Sequence, residues 1–115
     1  MKPLTPKKTI NSRAKGAAGE RELANYLKEK GYEGARRGQQ FAGGGDSPDV
    51  VGLPGFHIEC KRVEGGNLYR WLEQSTRDAS WENIPIVVHR RNDKPWVVVL
   101  GLDEFLQILK SRKLA

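Results

Sequence analysis

The fold is decided by the segment Ser47-Pro48-Asp49-Val50-Val51-Gly52, followed after a short turn by His57-Ile58-Glu59-Cys60-Lys61-Arg62. The intervening Leu53-Pro54-Gly55 is typical of a turn, because Pro and Gly adopt the backbone angles that turns require. We therefore interpret the segment as two adjacent strands forming a hairpin. Side chains of a strand alternate between its two faces. The second strand should present an apolar set on one face and a polar set on the other: Phe56, Ile58 and Cys60 against His57, Glu59 and Lys61.

Two carboxylates are expected to lie close together in this hairpin. Asp49 belongs to the first strand and Glu59 to the second, so pairing brings them near each other if the register allows. Adjacent carboxylates repel unless a cation lies between them. A divalent metal ion with oxygen ligands suits this position, and Lys61 follows on the same face as Glu59. The pattern predicts a metal-dependent phosphodiesterase site.

Length and composition limit the class of protein. A chain of 115 residues with 37% apolar and 30% charged residues suits one globular domain. The net charge of +6 and pI near 9.7 favour a polyanionic partner. No apolar run approaches the roughly 20 residues that cross a bilayer, and no apolar segment follows the basic N-terminus as in a secretory signal. The single cysteine, Cys60, excludes an internal disulfide, so we expect a cytoplasmic protein with Cys60 packed as a small apolar residue.

The N-terminal third is predicted to hold a basic arm and a helix. Residues 1–11 are expected to form a flexible arm, because Pro3 and Pro6 oppose a helix. Whether this arm contacts DNA or is merely solvated stays open. The domain is then predicted over 12–115, and its first helix runs from about Arg13 to Lys30, with Gly31 ending it.

One carboxylate of this helix lies among inward-facing residues. Glu20 shares a stripe with Leu23, Ala24 and Leu27 at offsets of three and four. The small residues that precede it, 16–19, allow close backbone approach at some cost in helix propensity. A third acid directed at Asp49 and Glu59 explains both features.

The remaining pattern predicts a mixed sheet flanked by helices. A short strand near 32–36 precedes a glycine-rich loop, where arginines and glutamines suit contact with a phosphate backbone. A helix capped by Asn67 should run from Leu68 to about Ser80. The near-continuous apolar run Ile84–His89 is then expected to lie parallel to the strand at 56–62. A strand at 96–100 and a last helix capped by Asp103 complete an α/β domain.

Several local motifs resemble the PD-(D/E)xK nuclease superfamily. They are Gly16-Ala17-Ala18-Gly19-Glu20-Arg21, Gly31-Tyr32 with Arg36, Pro48-Asp49-Val50-Val51, Ile58-Glu59-Cys60-Lys61, and Gln74 in the following helix. Within the superfamily the chain is most similar to archaeal and phage Holliday-junction resolvases, over roughly residues 13–110. The resemblance implies a restriction-endonuclease-like fold. One departure is that residues 38–46 hold no serine, whereas archaeal enzymes use a serine in this loop.

The resemblance also implies the chemistry and the partners. Asp49 and Glu59, with the Cys60 carbonyl and Glu20, would bind Mg²⁺, for which Mn²⁺ should substitute, while Lys61 would orient the attacking water. Cleavage would leave a 5′-phosphate, and a homodimer would make paired nicks in branched DNA. The candidate DNA-binding residues are Arg36, Arg37, Gln40, Arg62, Arg70, Gln74 and Arg90.

Two other functions remain open at this point. The chain could be a different metal nuclease that cuts flaps, makes nicks or serves DNA packaging, or a basic DNA-binding module whose acids merely form ion pairs. His57 and His89 are expected to be structural, and no cluster of cysteine and histidine predicts a zinc site.

Overall fold

Five strands form one mixed sheet in the order β1-β2-β3-β4-β5 in a computed structural model that describes residues 6–38 and 48–112, with side chains described from residue 14. The strands are β1 Arg36–Arg37, β2 Val50–Val51, β3 Phe56–Arg62, β4 Ile84–Arg90 and β5 Val97–Val99. The helices are α1 Pro6–Glu29, α2 Leu68–Asp78 and α3 Leu102–Ser111. Only β3 and β4 pair in parallel; the other neighbours are antiparallel. The predicted α/β class with helices flanking a mixed sheet is confirmed.

The hairpin predicted from the decisive segment is present. Val50 pairs with Ile58, and the Asp49 amide donates a hydrogen bond of 2.9 Å to the Ile58 carbonyl. Gly52, with φ of +124°, packs its backbone against Ala35, so that a Cβ at this position would lie 2.5 Å from the Ala35 Cα. Glycine therefore lets the backbone that leaves β2 pack closely against the backbone that enters β1.

α1 begins earlier than the sequence predicted. It starts at Pro6, not near Arg13, because proline is tolerated in the first turn, where its missing N–H has no helical partner to lose. Residues 6–11 therefore belong to a helix, whereas residues 1–5 of the predicted arm lie outside the described residues. The end of α1 agrees with prediction, since Gly31 has a φ of +105°.

α2 connects β3 to β4 and covers one face of the sheet. Asn67 caps it through its Oδ1, which accepts a hydrogen bond of 3.1 Å from the Arg70 amide, as predicted. Ser75 is fully buried, and its hydroxyl lies 3.3 Å from the His57 carbonyl and 3.1 Å from the Ile86 carbonyl. One side chain of α2 thus contacts both parallel strands.

The apolar core lies between α1 and the opposite face of the sheet. Its buried members are Leu23, Ala24, Val50, Ile58, Ile86 and Val88. The polar face of β3 is not exposed either: His57 is 3% and Glu59 5% accessible, because α2 packs over them. The sequence predicted the alternation of faces correctly, and the structure adds that the polar face is also buried.

The C-terminal part departs from prediction in detail. β5 is shorter than the predicted 96–100. At the opposite edge of the sheet, β1 overlaps the predicted 32–36 only at Arg36. Gly101, not Asp103, occupies the N-cap of α3, and Asp103 lies in the first turn, where its charge still suits the helix dipole. Among the described helices, none is both long enough and apolar enough to cross a membrane.

Candidate active site

The predicted catalytic side chains line one cavity of about 450 Å³ beside the second half of β3. Glu20 comes from α1, Asp49 from the position just before β2, and Glu59 and Lys61 from β3. The remaining lining residues are Lys15, Gly16, Cys60, Arg62, Val63 and Gln74. The structure therefore brings together the three acids and the lysine that the sequence selected, from three separate elements.

Asp49 is fixed by the backbone of the neighbouring strand. Its Oδ2 accepts a hydrogen bond of 2.8 Å from the Cys60 amide. This bond holds the carboxylate against the backbone of Cys60, the residue whose carbonyl is also a predicted metal ligand. The hairpin register thus fixes Asp49 relative to the Glu-x-Lys sequence of β3.

Glu59 is a carboxylate in a buried and negatively charged environment. Its side chain is 6% exposed, and its Oε2 lies 3.6 Å from the Lys61 Nζ. Burial, followed by the negative charge of Asp49, raises the pKa of Glu59 to about 7, although Lys61 opposes the change. The ammonium group therefore offsets only part of the cost of a charged Glu59.

Cys60 packs against the core, as predicted. Burial, followed by the negative charge of Asp49, raises the pKa of its thiol to about 12. The thiol stays protonated at neutral pH, so it is a poor nucleophile.

Glu20 reaches the cavity because α1 lies close to β3. A Cβ on Gly19 would lie 2.6 Å from the Arg62 Cβ, so glycine is required for this approach, whereas nothing lies within 4 Å of a Cβ on Gly16. The Glu20 side chain is 15% exposed, and its Oε1 accepts a hydrogen bond of 3.0 Å from the Arg37 Nε. Of these two glycines, only Gly19 makes the close backbone approach that the sequence suggested.

His57 and Asp78 form with Glu59 a second group of potential metal ligands, which the sequence interpretation missed. Their ligand atoms all lie within 4.8 Å of one another, a spacing that could hold a metal ion. Among the described side chains, neither Glu20 nor Asp49 joins a set this tight. His57 was expected to be merely structural, yet it lies two residues from Glu59 on the same strand face. The other signal was Asp78, which follows Gln74 by four residues and so lies on the same side of α2.

The predicted DNA-binding residues fall into four groups. Arg36, Arg37 and Arg70 are exposed, and Gln74 lines the cavity, whereas Gln40 lies outside the described residues.

Arg62 and Arg90 are held in ion pairs. Both contact Glu22 of α1: the Arg62 Nε donates to its Oε1 at 2.9 Å and the Arg90 Nη1 to its Oε2 at 2.5 Å. Glu22 thereby ties α1 to the ends of both parallel strands. The sequence did not indicate this role, because the three residues are far apart in the chain.

The donor set of the cavity fits a hard divalent cation. Carboxylates from Glu20, Asp49 and Glu59 and the nearby Cys60 carbonyl offer oxygen atoms only, which Mg²⁺ and Mn²⁺ prefer. The buried Glu59 also favours a cation site, because a cation in the cavity would offset the cost of burying its negative charge beside Asp49.

A mixed sheet that presents Pro-Asp and Glu-x-Lys on adjacent strands, with a helical glutamate facing them, defines a nuclease core of the PD-(D/E)xK type. Residues 11–115 match the model of the family described as "Phage putative PDDEXK endonuclease". The chain belongs to this family. No curated protein and no solved structure was found to match it.

Proposed function

We propose that the protein is a Mg²⁺-dependent endodeoxyribonuclease that resolves four-way DNA junctions. The observation that carries the nuclease part is the convergence of Glu20, Asp49, Glu59 and Lys61 on one cavity. The preference for junctions rests on the resemblance of the α1 motif and of the Asp49 and Glu59 motifs to junction resolvases.

The carboxylates have separable roles in this proposal. Asp49 and Glu59, with the Cys60 carbonyl, would hold the ion, and Glu20 would complete its ligands or hold one of its waters. A bound divalent ion supplies Lewis-acid charge and lowers the pKa of a water molecule. Arg37 forms an ion pair with Glu20. If Glu20 turned to a bound ion, Arg37 would be released and could bind a phosphate.

Lys61 acts on the reacting phosphate. Its ammonium group orients the attacking water and stabilises the negative charge that builds on the phosphate oxygens. The water oxygen forms a bond to phosphorus, and the bond from phosphorus to the 3′ oxygen breaks. The products are a 5′-phosphate and a 3′-hydroxyl that takes up a proton.

DNA is contacted mainly through its phosphates in this proposal. Exposed Arg36, Arg37 and Arg70, together with Gln40, Gln74, Arg62 and Arg90, are the proposed contacts, and such contacts position DNA without selecting a sequence. Two copies related by a two-fold axis would make the paired nicks that a junction needs. We expect the enzyme to act in the cytoplasm of a bacterial or archaeal cell, where its DNA substrate lies.

The test is incubation of the purified protein with a labelled four-way junction, a flap and a linear duplex, with Mg²⁺ or EDTA. Symmetric, Mg²⁺-dependent nicks in the junction are expected. Cleavage confined to flaps or duplex would replace junction resolution with another nuclease specificity. Tight binding of DNA with no metal-dependent cleavage of any substrate would refute the proposed nuclease activity.

Glu59→Gln is the matched variant, since it removes one negative charge and keeps the size of the side chain. It should abolish cleavage and retain junction binding. Glu73→Gln, at an exposed position of α2, makes the same change outside the cavity and should cut normally.

A further inference from the structure

A second cavity, of about 440 Å³, lies beside the proposed active site. Its apolar surface includes Trp71 of α2 and Val97 and Val99 of β5, and His89 of β4 forms part of its wall. None of these four residues belongs to the proposed metal site. The cavity therefore needs an explanation of its own.

The aromatic wall of this cavity is built in advance of any ligand. The Trp71 and His89 rings lie 5.1 Å apart at an angle of 51°, and the His89 Nε2 lies 2.9 Å from the Val63 carbonyl. Gly66, with φ of +137°, packs its backbone against the Trp71 indole so closely that any Cβ would overlap the ring. Trp71 is thus held in place by backbone on one side and by His89 on another.

The second cavity adjoins the first through Lys61. The Lys61 Nζ lies 3.6 Å from the Glu59 Oε2 and 5.8 Å from the centre of the Trp71 ring. Lys61 also pairs with His89 across the parallel strands, which lie about 4.8 Å apart in a sheet. A phosphate held at Lys61 would therefore place its own nucleoside within reach of Trp71.

The rim of the second cavity is cationic. Arg90, Arg91 and Lys94 line it, and its lining, all within the described part of the chain, contains no carboxylate. Arg90 is tied to Glu22 and to the Lys94 carbonyl, whereas Arg91 and Lys94 are exposed on the turn between β4 and β5. An apolar, aromatic wall below a cationic rim is complementary to an aromatic ring that carries a phosphate.

We propose that this cavity binds the base of an unpaired nucleotide adjacent to the scissile phosphate. Bases stack on aromatic side chains while lysine and arginine bind the flanking phosphates, which is how proteins hold single-stranded DNA. A base inside a duplex is already stacked and cannot enter without being extruded. The inference rests on the proposed nuclease function and adds that a nucleotide at the cleavage site must be unpaired, or must become unpaired when the DNA binds.

The test is binding of fluorescently labelled oligo-dT to the full chain in EDTA, followed by anisotropy. Val97→Glu places a carboxylate in the cavity, and Val98→Glu places one on the other face of β5. Both positions are exposed, at 46% and 56%, so the two variants are matched in residue, strand and charge. We expect Val97→Glu to weaken binding at least tenfold and Val98→Glu to change it less than twofold.

A second pair keeps the test independent of any folding defect in β5. Lys94→Glu reverses a charge on the rim, and Lys110→Glu makes the same change on α3. Only Lys94→Glu should weaken oligo-dT binding, by about fivefold. Equal binding by wild type, Val97→Glu and Lys94→Glu, or no binding of oligo-dT by wild type, would overturn the proposal. Because these readings are made without metal, they stay interpretable even if the nuclease function fails its own test.

Discussion

At the scale of single residues, Glu59 lowers the stability of the fold in order to place a carboxylate in the proposed metal site. Its carboxylate is buried beside Asp49, and Lys61 offsets only part of the resulting cost. A structural glutamate would be exposed or paired more closely, since burying an ionised carboxylate is costly. We interpret this strain as the consequence of holding oxygen ligands ready for a cation.

The raised pKa of Glu59, about 7 in place of 4.5, predicts a pH dependence of stability in metal-free protein. Between these values the folded state binds more protons than the unfolded state, so the contribution of Glu59 is fully present below pH 4.5 and lost as pH rises through 7. Glu59→Gln cannot ionise and should exceed wild type in free energy of unfolding by roughly 3 kcal/mol at pH 8. Urea denaturation in EDTA measures this.

At pH 4.5 or below, wild type and Glu59→Gln should have nearly equal free energies of unfolding, and Glu73→Gln should match wild type at both pH values. A Glu59→Gln variant less stable than wild type at pH 8 would mean that the carboxylate is satisfied by its surroundings and that no cation is needed.

At the scale of elements, the contact of α1 with β3 places Glu20 in the cavity. Gly19 lies where its backbone meets the Arg62 Cβ, an atom close to the main chain that cannot swing aside. The helix therefore accepts the low helix propensity of glycine here in exchange for close packing.

Gly19→Ala and Gly16→Ala should have opposite effects on stability. Alanine gains up to about 1 kcal/mol of helix propensity at either position. At position 16 nothing opposes it, so the free energy of unfolding should rise by roughly 0.5 to 1 kcal/mol. At position 19 the clash with Arg62 should outweigh the gain and lower it by about 1 to 3 kcal/mol. Thermal denaturation compares them, and a stabilised Gly19→Ala protein would show that α1 does not pack as described.

How much the sequence predicted also depends on the element. The hairpin, the parallel pairing of β3 and β4, and the Asn67 cap were predictable, because strand alternation, crossover rules and capping depend on neighbouring residues. The start of α1 was not predictable, because proline is compatible both with the first turn of a helix and with an extended arm. Nor was the Glu22 bridge to Arg62 and Arg90, which exists only once three distant segments have packed.

At the scale of the site, the sequence identified four residues that line one cavity, but it took His57 as structural and assigned no role to Asp78. Both are ordinary in sequence and become notable only when α2 packs over β3. Gln40 lies outside the described residues, so its role stays a prediction.

At the scale of the whole molecule, the net charge of +6 predicts binding to DNA governed by salt. Each phosphate neutralised by a lysine or arginine releases counterions, so the logarithm of affinity should fall linearly with the logarithm of salt concentration. Fluorescence anisotropy with a labelled junction in EDTA, from 50 to 300 mM salt, should give a slope of about −3 to −6, a range set by several phosphate contacts. A flat response would remove the exposed arginines from the DNA interface.

In the proposed site Glu20, Asp49 and Glu59 share one metal ion, which anomalous diffraction from a crystal grown with Mn²⁺ would locate. An anomalous peak is expected inside the cavity, in contact with Asp49, Glu59 and the Cys60 carbonyl. A peak bound by His57, Glu59 and Asp78 on the α2 side, with none beside Asp49, would contradict it.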